Sequence, residues 1–256
     1  MAKVLVTGGA GYVGSKLTED LAKKNHEVII YDTCYFGNEH IKENNNIKLI
    51  KADIRDSMKF ESAVNGCDTV IHLACISNDP SFDLNEELSK SINYDCFENL
   101  VKISKKNGVK KFIYASSSSV YGFSDDPNVT EEHPLVPLTL YNKFKGMCEP
   151  ILKKYLDNSF RGVIIRPATV CGYAPHCRLD LSVNILTNHA VNNKKIIVLG
   201  GGQQKRPNLH VNDMSRAYLN LMENDFSEIN GETFNVSFEN KKIIELAEIV
   251  STNVKK

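Results

Sequence analysis

Three groups of residues in this 256-residue chain have types and spacing suited to chemistry. The first is Gly8-Gly9-Ala10-Gly11-Tyr12-Val13-Gly14, a G-x-x-G-x-x-G run directly after a β-branched segment and opening a helical one. Glycines there permit a tight turn and a close approach of backbone to a pyrophosphate, which the free N–H groups of a helix N-terminus then bind. Asp32 follows 18 residues after Gly14, where a carboxylate accepts hydrogen bonds from a ribose diol and repels a 2′-phosphate. The second group is Tyr141 and Lys145, a Y-x-x-x-K pair that one helix face holds together. Tyrosine titrates near 10, so a phenol acting as a base near neutrality needs a shift of about 3 units, roughly 4 kcal/mol. One nearby cation supplies about 1–3 units of it. Taken alone, Y-x-x-x-K in a Lys-rich chain reads as a solvated helix face. The third group is the run Ser116-Ser117-Ser118-Ser119 after an apolar segment, where a hydroxyl can polarise a substrate hydroxyl or carbonyl.

Positioning these groups requires strands that end beside one another. Continuously apolar strands are expected at Lys3–Thr7, Glu27–Tyr31, Ile47–Ala52, Asp68–Ala74, Lys111–Ala115 and Gly162–Arg166. Helical segments separate them, at 12–25, 86–107 and 141–157. That alternation predicts a Rossmann-type, doubly wound α/β parallel sheet covered on both faces, with ligand chemistry at the C-terminal strand ends. After residue 167 the pattern changes. A loop at 174–180 precedes a helix over 181–192, a short strand over 196–199 and a turn at Gly200-Gly201-Gly202. A helix over 212–223, a strand over 232–236 and a helix over 241–254 follow. The division expected is a dinucleotide-binding domain over 1–170 and a smaller α/β lobe over 171–256, some segments of which cross back to the sheet.

Composition bounds the partners. Lys and Arg number 31, as do Asp and Glu, so the net charge is zero and no extended nucleic-acid or anionic-membrane footprint is expected. No apolar run approaches the roughly 20 residues of a membrane helix. The seven cysteines are odd in number and form no C-x-x-C, which points to a reduced, cytoplasmic protein. Cys171, His176 and Cys177 lack a fourth ligand for zinc, so no metal is expected.

As an ordered set, the motifs resemble the extended short-chain dehydrogenase/reductases, the NAD-dependent epimerase/dehydratase family acting on nucleotide sugars. The set is TGGAGYVG at 7–14, Asp32, Asp53, His72-Leu73-Ala74, Asn93, SSSSVYG at 116–122, YNKFK at 141–145, Arg166-Pro167 and GGGQQKRPNLHVND at 200–213. The resemblance implies that 171–256 is an α/β nucleotide-sugar-binding lobe, incomplete because family members continue further, and it implies roles position by position. Gly8, Gly11, Tyr12, Val13 and Gly14 hold the pyrophosphate of NAD. Asp32 takes the adenosine ribose, Asp53 and Ile54 the adenine edge, and Leu73 and Ala74 pass beneath the dinucleotide. Ser117 is the catalytic hydroxyl, with Ser118 beside it at the substrate. Tyr141 is the general base, and Lys145 is its helper and a ribose ligand. Arg206, and with weaker support Arg178, grip the substrate diphosphate. Dehydratases of the family carry an Asp-Glu pair where this chain has Ser118 and Ser119, and serines cannot supply the acid and base of water elimination. The expected activity is a nucleotide-sugar epimerisation through transient oxidation at C4. A net 4-dehydrogenase or 4-keto reductase is the alternative, and a 4,6-dehydratase or non-catalytic NAD(H)-binding regulator is disfavoured. Family members dimerise through helices matching 86–107 and 141–157. The stripe Leu88, Ile92, Cys96, Leu100, Ile103 fits a homodimer face, or equally a face toward the sheet.

Overall fold

A computed structural model describes residues 1–126 and 128–254. Six strands, β1 (Lys3–Thr7), β2 (Glu27–Asp32), β3 (Ile47–Lys51), β4 (Thr69–His72), β5 (Lys111–Ala115) and β6 (Arg161–Pro167), join β7 (Thr169–Cys171), β8 (Lys205–His210), β9 (Thr233–Val236) and β10 (Glu239–Lys242). The main sheet is parallel throughout, in the order β3-β2-β1-β4-β5-β6-β9. The order reverses at β1, so the C-terminal ends of β1 and β4 open a crevice, as ligand sites of such sheets require. Both faces of this sheet are covered, which explains why its strands are apolar without alternation: Val4, Leu5 and Val6 are all fully buried.

One layer holds α1 (Tyr12–Lys23) and α8 (Val211–Glu223). Leu17 and Leu21 of α1 are fully buried against Val4, Val6, Met214 and Tyr218, each leucine contributing about 2 kcal/mol. The other layer holds α2 (Ser57–Val64), α3 (Asp79–Asp83), α4 (Glu86–Lys90), α5 (Phe97–Lys106) and α6 (Leu140–Tyr155). The helix expected over 86–107 is α4 and α5 joined by a π-type turn at Ser91–Asp95. Leu100 and Ile103 of its apolar stripe are buried in the sheet-side core, while Leu88 is 42% exposed.

A second sheet, β10-β8-β7, carries α7 (Ser182–Asn188) and α9 (Ile243–Asn253). No strand forms at 196–199. The strand of this region is β8, which pairs in parallel with β7 and antiparallel with β10. The glycine turn at 200–202 precedes β8, and all three glycines have positive φ. After β8 the chain returns to the first layer as α8 and then enters the main sheet as β9, with Thr233 opposite Ile164.

Candidate active site

The glycine turn is built by contact rather than by side-chain caps. Gly8 has φ +72°, and a Cβ there would lie 2.6 Å from the Ala74 nitrogen, so the turn rests directly on the backbone of Leu73 and Ala74. A Cβ on Gly14 would lie 2.6 Å from the Gly9 Cα, which fixes the helix-to-turn packing. Gly11 caps α1 without a side-chain hydrogen bond, and the first intrahelical bond runs from Ser15 N–H to Gly11 O at 2.8 Å. Among the described residues the N–H groups of Tyr12, Val13 and Gly14 therefore have no partner, and they face the crevice with the positive end of the helix dipole. Asp32 closes the turn from the β2 end: its Oδ2 accepts from Ala10 N–H at 3.0 Å and its Oδ1 from Cys34 N–H at 2.8 Å. These features fit the diphosphate and ribose of a dinucleotide.

Other expected cofactor residues have different occupations. The Tyr12 ring is in the core, and its hydroxyl donates to Gly172 O at 2.5 Å, while Asn184 Nδ2 donates to that hydroxyl at 3.2 Å. Tyr12 thus latches the loop after β7 onto α1, and burial pushes its phenol up to about 12. Asp53 is forked by Arg55, with Oδ1 at 3.0 Å from Nε and Oδ2 at 2.6 Å from Nη2. That pair holds its carboxyl below the ordinary range and occupies the group expected at the adenine edge. Ile54 is buried in the sheet-side core.

The serine run and α6 meet at the C-terminal end of β5. Ser117 Oγ lies 2.6 Å from Ser119 Oγ, and Ser119 in turn donates to the Asn142 carboxamide, one residue beyond Tyr141. Lys145 Nζ is buried and donates to Ala115 O at 2.8 Å. Thr139 caps α6 by accepting from Asn142 N–H and donates to Asp79 Oδ1 at 2.6 Å. Ser117, Tyr141 and Lys145 are therefore on elements bound to each other, and Ser118 opens the turn between Ser117 and Tyr121. Burial pushes the Tyr141 phenol well above its usual range; Cys75 and Asp79 add to the rise and the Arg178 guanidinium opposes it. The lowering that Lys145 was expected to supply is not established here, where its ammonium is spent on Ala115.

The two arginines differ from expectation in what they touch. Arg178 grips Asp180, with Nε 3.0 Å from Oδ1, and its Nη1 donates to Ser77 Oγ at 2.9 Å. It joins the loop after β7 to the loop after β4, and an aspartate already balances its charge. Arg206 is exposed on β8, and among the described residues its guanidinium meets only the Lys205 carbonyl, at 3.2 Å.

Three residues were not singled out from spacing. Glu149 sits at i+8 from Tyr141 on the face that carries Lys145. It accepts from Ser116 Oγ at 2.6 Å and from Arg166 Nε at 3.0 Å and Nη2 at 2.6 Å, the Glu149 and Arg166 side chains each being 6% exposed. Arg166 continues to the Tyr121 hydroxyl at 2.8 Å. The pair thus holds both ends of the serine turn. The spacing Tyr141-x-x-x-Lys145-x-x-x-Glu149 was the available signal. Asn184, on α7, and His40, whose Nε2–H donates to Ala10 O at 2.9 Å, had none. Asn93 lies in the π-type turn and clamps Ile76 through both its carboxamide atoms, to N at 2.8 Å and O at 2.9 Å. Among the described residues no group of three or more His, Cys, Asp or Glu could hold a metal, and no helix is long and apolar enough to cross a membrane.

Known proteins resemble this chain over most of its length. The model of the NAD dependent epimerase/dehydratase family matches residues 4–237. A UDP-N-acetyl-alpha-D-glucosaminuronate decarboxylase of Bacillus cytotoxicus is 30% identical over 258 residues, covering 95% of this chain and 77% of that protein. A putative UDP-glucose 4-epimerase of Methanocaldococcus jannaschii is 32% identical over 223 residues, covering 84% and 72% respectively. The solved structure of a UDP-N-acetylglucosamine 4-epimerase from Methanobrevibacter ruminantium, in complex with UDP-N-acetylmuramic acid, superposes with a TM-score of 0.87 at 27% identity. The match spans 98% of this chain and 81% of that one.

Proposed function

Because the chain belongs to the NAD dependent epimerase/dehydratase family, we propose that it epimerises a nucleotide-diphosphate sugar by transient oxidation at the C4 hydroxyl. The observation that supports this reading is the hydrogen-bonded junction of the serine turn with α6, the elements that carry Ser117, Tyr141 and Lys145, at the end of β5, with Ser118 and Ser119 in place of an acid pair. NAD, when bound, supplies a reversible hydride acceptor. Tyr141 receives the proton of the sugar hydroxyl as the C–H bond breaks, and returns it after the sugar has turned its other face. Ser117 donates to the carbonyl oxygen that develops. Lys145 lies one helical turn from Tyr141, where its charge would favour the phenolate, and it would be a ligand of the cofactor's ribose. Gly8, Gly11, Val13 and Gly14 hold the diphosphate, and Asp32 the ribose diol. Arg206, exposed and without a carboxylate partner among the described residues, is the residue we assign to the substrate diphosphate; Arg178 we assign to loop positioning. We place the enzyme in the cytoplasm as a homodimer.

The decarboxylase relative favours a second reading. A 4-keto-hexuronate is a β-keto acid, so the same oxidation step on a sugar with a C6 carboxylate ends in loss of carbon dioxide. Incubation with UDP-, GDP-, TDP- and CDP-sugars, including hexuronates, read by mass spectrometry and NMR, separates the two. An epimer of unchanged mass supports the proposal. A product lighter by carbon dioxide selects decarboxylation, and net absorbance at 340 nm selects a dehydrogenase. Tyr141→Phe should lower turnover by about 10²–10⁴-fold while NAD still binds; unchanged turnover would overturn the assignment of the base.

A further inference from the structure

A serine hydroxyl has one proton to give and two lone pairs with which to accept. In the serine turn that proton is already spent where the chemistry needs it. The turn itself is held at both ends, by Glu149 at Ser116 and by Arg166 at the Tyr121 hydroxyl. Ser117 Oγ accepts from the Ser119 N–H at 3.2 Å, which fixes the oxygen but not its proton. Ser119 gives its own proton to Asn142 Oδ1. The 2.6 Å contact between the Ser117 and Ser119 hydroxyls is therefore made by the Ser117 proton. In this polarity Ser117 has nothing left to donate to a sugar oxygen.

The direction of the chain of bonds is set at its far end. Asn142 is the third residue of α6, next to Tyr141 and 7% exposed, and its N–H donates to Thr139 Oγ1 at 3.3 Å. Its Nδ2 has no hydrogen-bond partner among the described residues, so turning the carboxamide about its last bond gives up only the Ser119 contact. Once turned, Nδ2 donates to Ser119 Oγ, Ser119 donates to Ser117, and Ser117 keeps its own proton free. Ser117 Oγ then accepts twice, from the Ser119 N–H and the Ser119 hydroxyl, and donates once, which is its full complement.

We propose that Asn142 is a positioning residue of the reaction: by turning its carboxamide it reverses the Asn142–Ser119–Ser117 relay and frees the Ser117 hydroxyl to donate to the sugar oxygen as the carbonyl develops. The proposal rests on the reading of Ser117 and Tyr141 as the groups that meet that oxygen. No proton changes owner along the relay; each hydroxyl turns about its C–O bond. A donor aimed at the oxygen where charge develops lowers the barrier, and one aimed at a neighbouring serine does not. Ser119, standing where a dehydratase carries an acid, passes on orientation instead of a proton.

The experiment is steady-state turnover at about pH 8, with whichever nucleotide sugar of the panel above the wild-type chain converts, beside NADH binding by nicotinamide fluorescence. Asn142→Asp keeps the shape of the side chain, but an ionised carboxylate only accepts, which locks the Ser117 proton away from the sugar. Aspartate suits the first turn of a helix, where it meets the positive end of the dipole, so the variant keeps its fold. Its kcat should fall about 10²-fold, with KM within about threefold and NADH affinity unchanged. Asn142→Ala is the larger change of shape, yet it removes the acceptor that holds the wrong polarity, and should cost only about two- to tenfold.

A new negative charge beside Tyr141 is a second way to slow the reaction, and Ser119→Ala separates the two. That change cuts the relay and alone should cost about two- to tenfold. Added to it, Asn142→Asp should cost almost nothing more, because its path to Ser117 is gone. A double variant that still shows the full loss, an Asn142→Asp variant with wild-type kcat, or an Asn142→Ala variant as slow as Asn142→Asp would each overturn the relay. A wild-type chain that converts no sugar of the panel would instead overturn the proposed reaction, and the relay with it.

Discussion

The two sheets of this molecule are organised on different principles. The main sheet is buried on both faces, and its strand ends are joined by hydrogen bonds that leave little freedom: Asp32 to Ala10 and Cys34, Lys145 to Ala115, Glu149 to Ser116 and Arg166. The smaller sheet, β10-β8-β7, rests on a cluster with four buried apolar residues, Leu186, Leu246, Ala247 and Val250, and β8 carries Lys205 and Arg206 in the open. The first builds a fixed surface for a cofactor of constant shape. In the function proposed above, the second would receive the substrate, and the relatives' names span epimerase and decarboxylase. On that proposal the larger buried core underlies the shared chemistry, and the smaller cluster underlies what would differ.

Perturbing each region should expose that contrast. The largest effect is expected from Gly14→Ala. Its new Cβ meets backbone of the turn itself, which cannot yield as a side chain would, so a loss of more than about 4 kcal/mol in chemical denaturation is expected, along with loss of NAD binding. Glu149→Gln comes next. It leaves the buried Arg166 guanidinium without its partner, at a cost of about 3–5 kcal/mol, and should lower turnover on the sugar panel more than NADH affinity, because it loosens the serine turn and not the glycine turn.

Acid should weaken the main sheet first. His72 is buried at the end of β4, bonded to Thr7 Oγ1 at 2.8 Å, and burial drives its pKa down to about 3. A folded-state pKa below the unfolded value of about 6.5 means the unfolded chain binds the extra proton. The stability is fully present above pH 6.5 and is lost toward pH 3, by about 2 kcal/mol at pH 5. Urea midpoints measured from pH 7.5 to 5 should show this slope, and His72→Gln should flatten it. The smallest effect is expected in the lobe. Val250→Ala removes two methyl groups from the small cluster and should cost about 1.5 kcal/mol, opening α9 to hydrogen exchange while NADH binding holds. A Val250→Ala variant that loses NADH binding would erase the distinction between the two regions.

Legibility in the sequence followed the same division. Strands β1 to β6 were readable because double burial forces unbroken apolar runs, and Gly8–Gly14 with Asp32 because backbone geometry admits few alternatives. Contacts made across the chain left no local trace. Nothing near Asp53 in type or period announced that Arg55 would occupy it, and Arg178 could not be seen to face Asp180 and Ser77 before the loops were placed. The failed strand at 196–199 has a physical origin too. Ile196, Ile197, Val198 and Leu199 are β-formers, but Ile196 and Val198 pack on α9 and no strand lies alongside to pair with them. Propensity was overruled by the absence of a neighbour.

The late position of β9 carries one more consequence. The edge strand beside β6 is supplied by residues 233–236, 66 positions after β6 ends at Pro167, since 233 − 167 = 66. During synthesis the ribosome must therefore deliver the whole excursion through β7, α7 and β8 before the seventh strand exists. Until then β6 presents an unpaired edge, the kind of surface that invites a neighbouring chain. A nascent chain stalled before residue 233 is thus a point of exposure to aggregation, and a natural moment for a chaperone to be holding it.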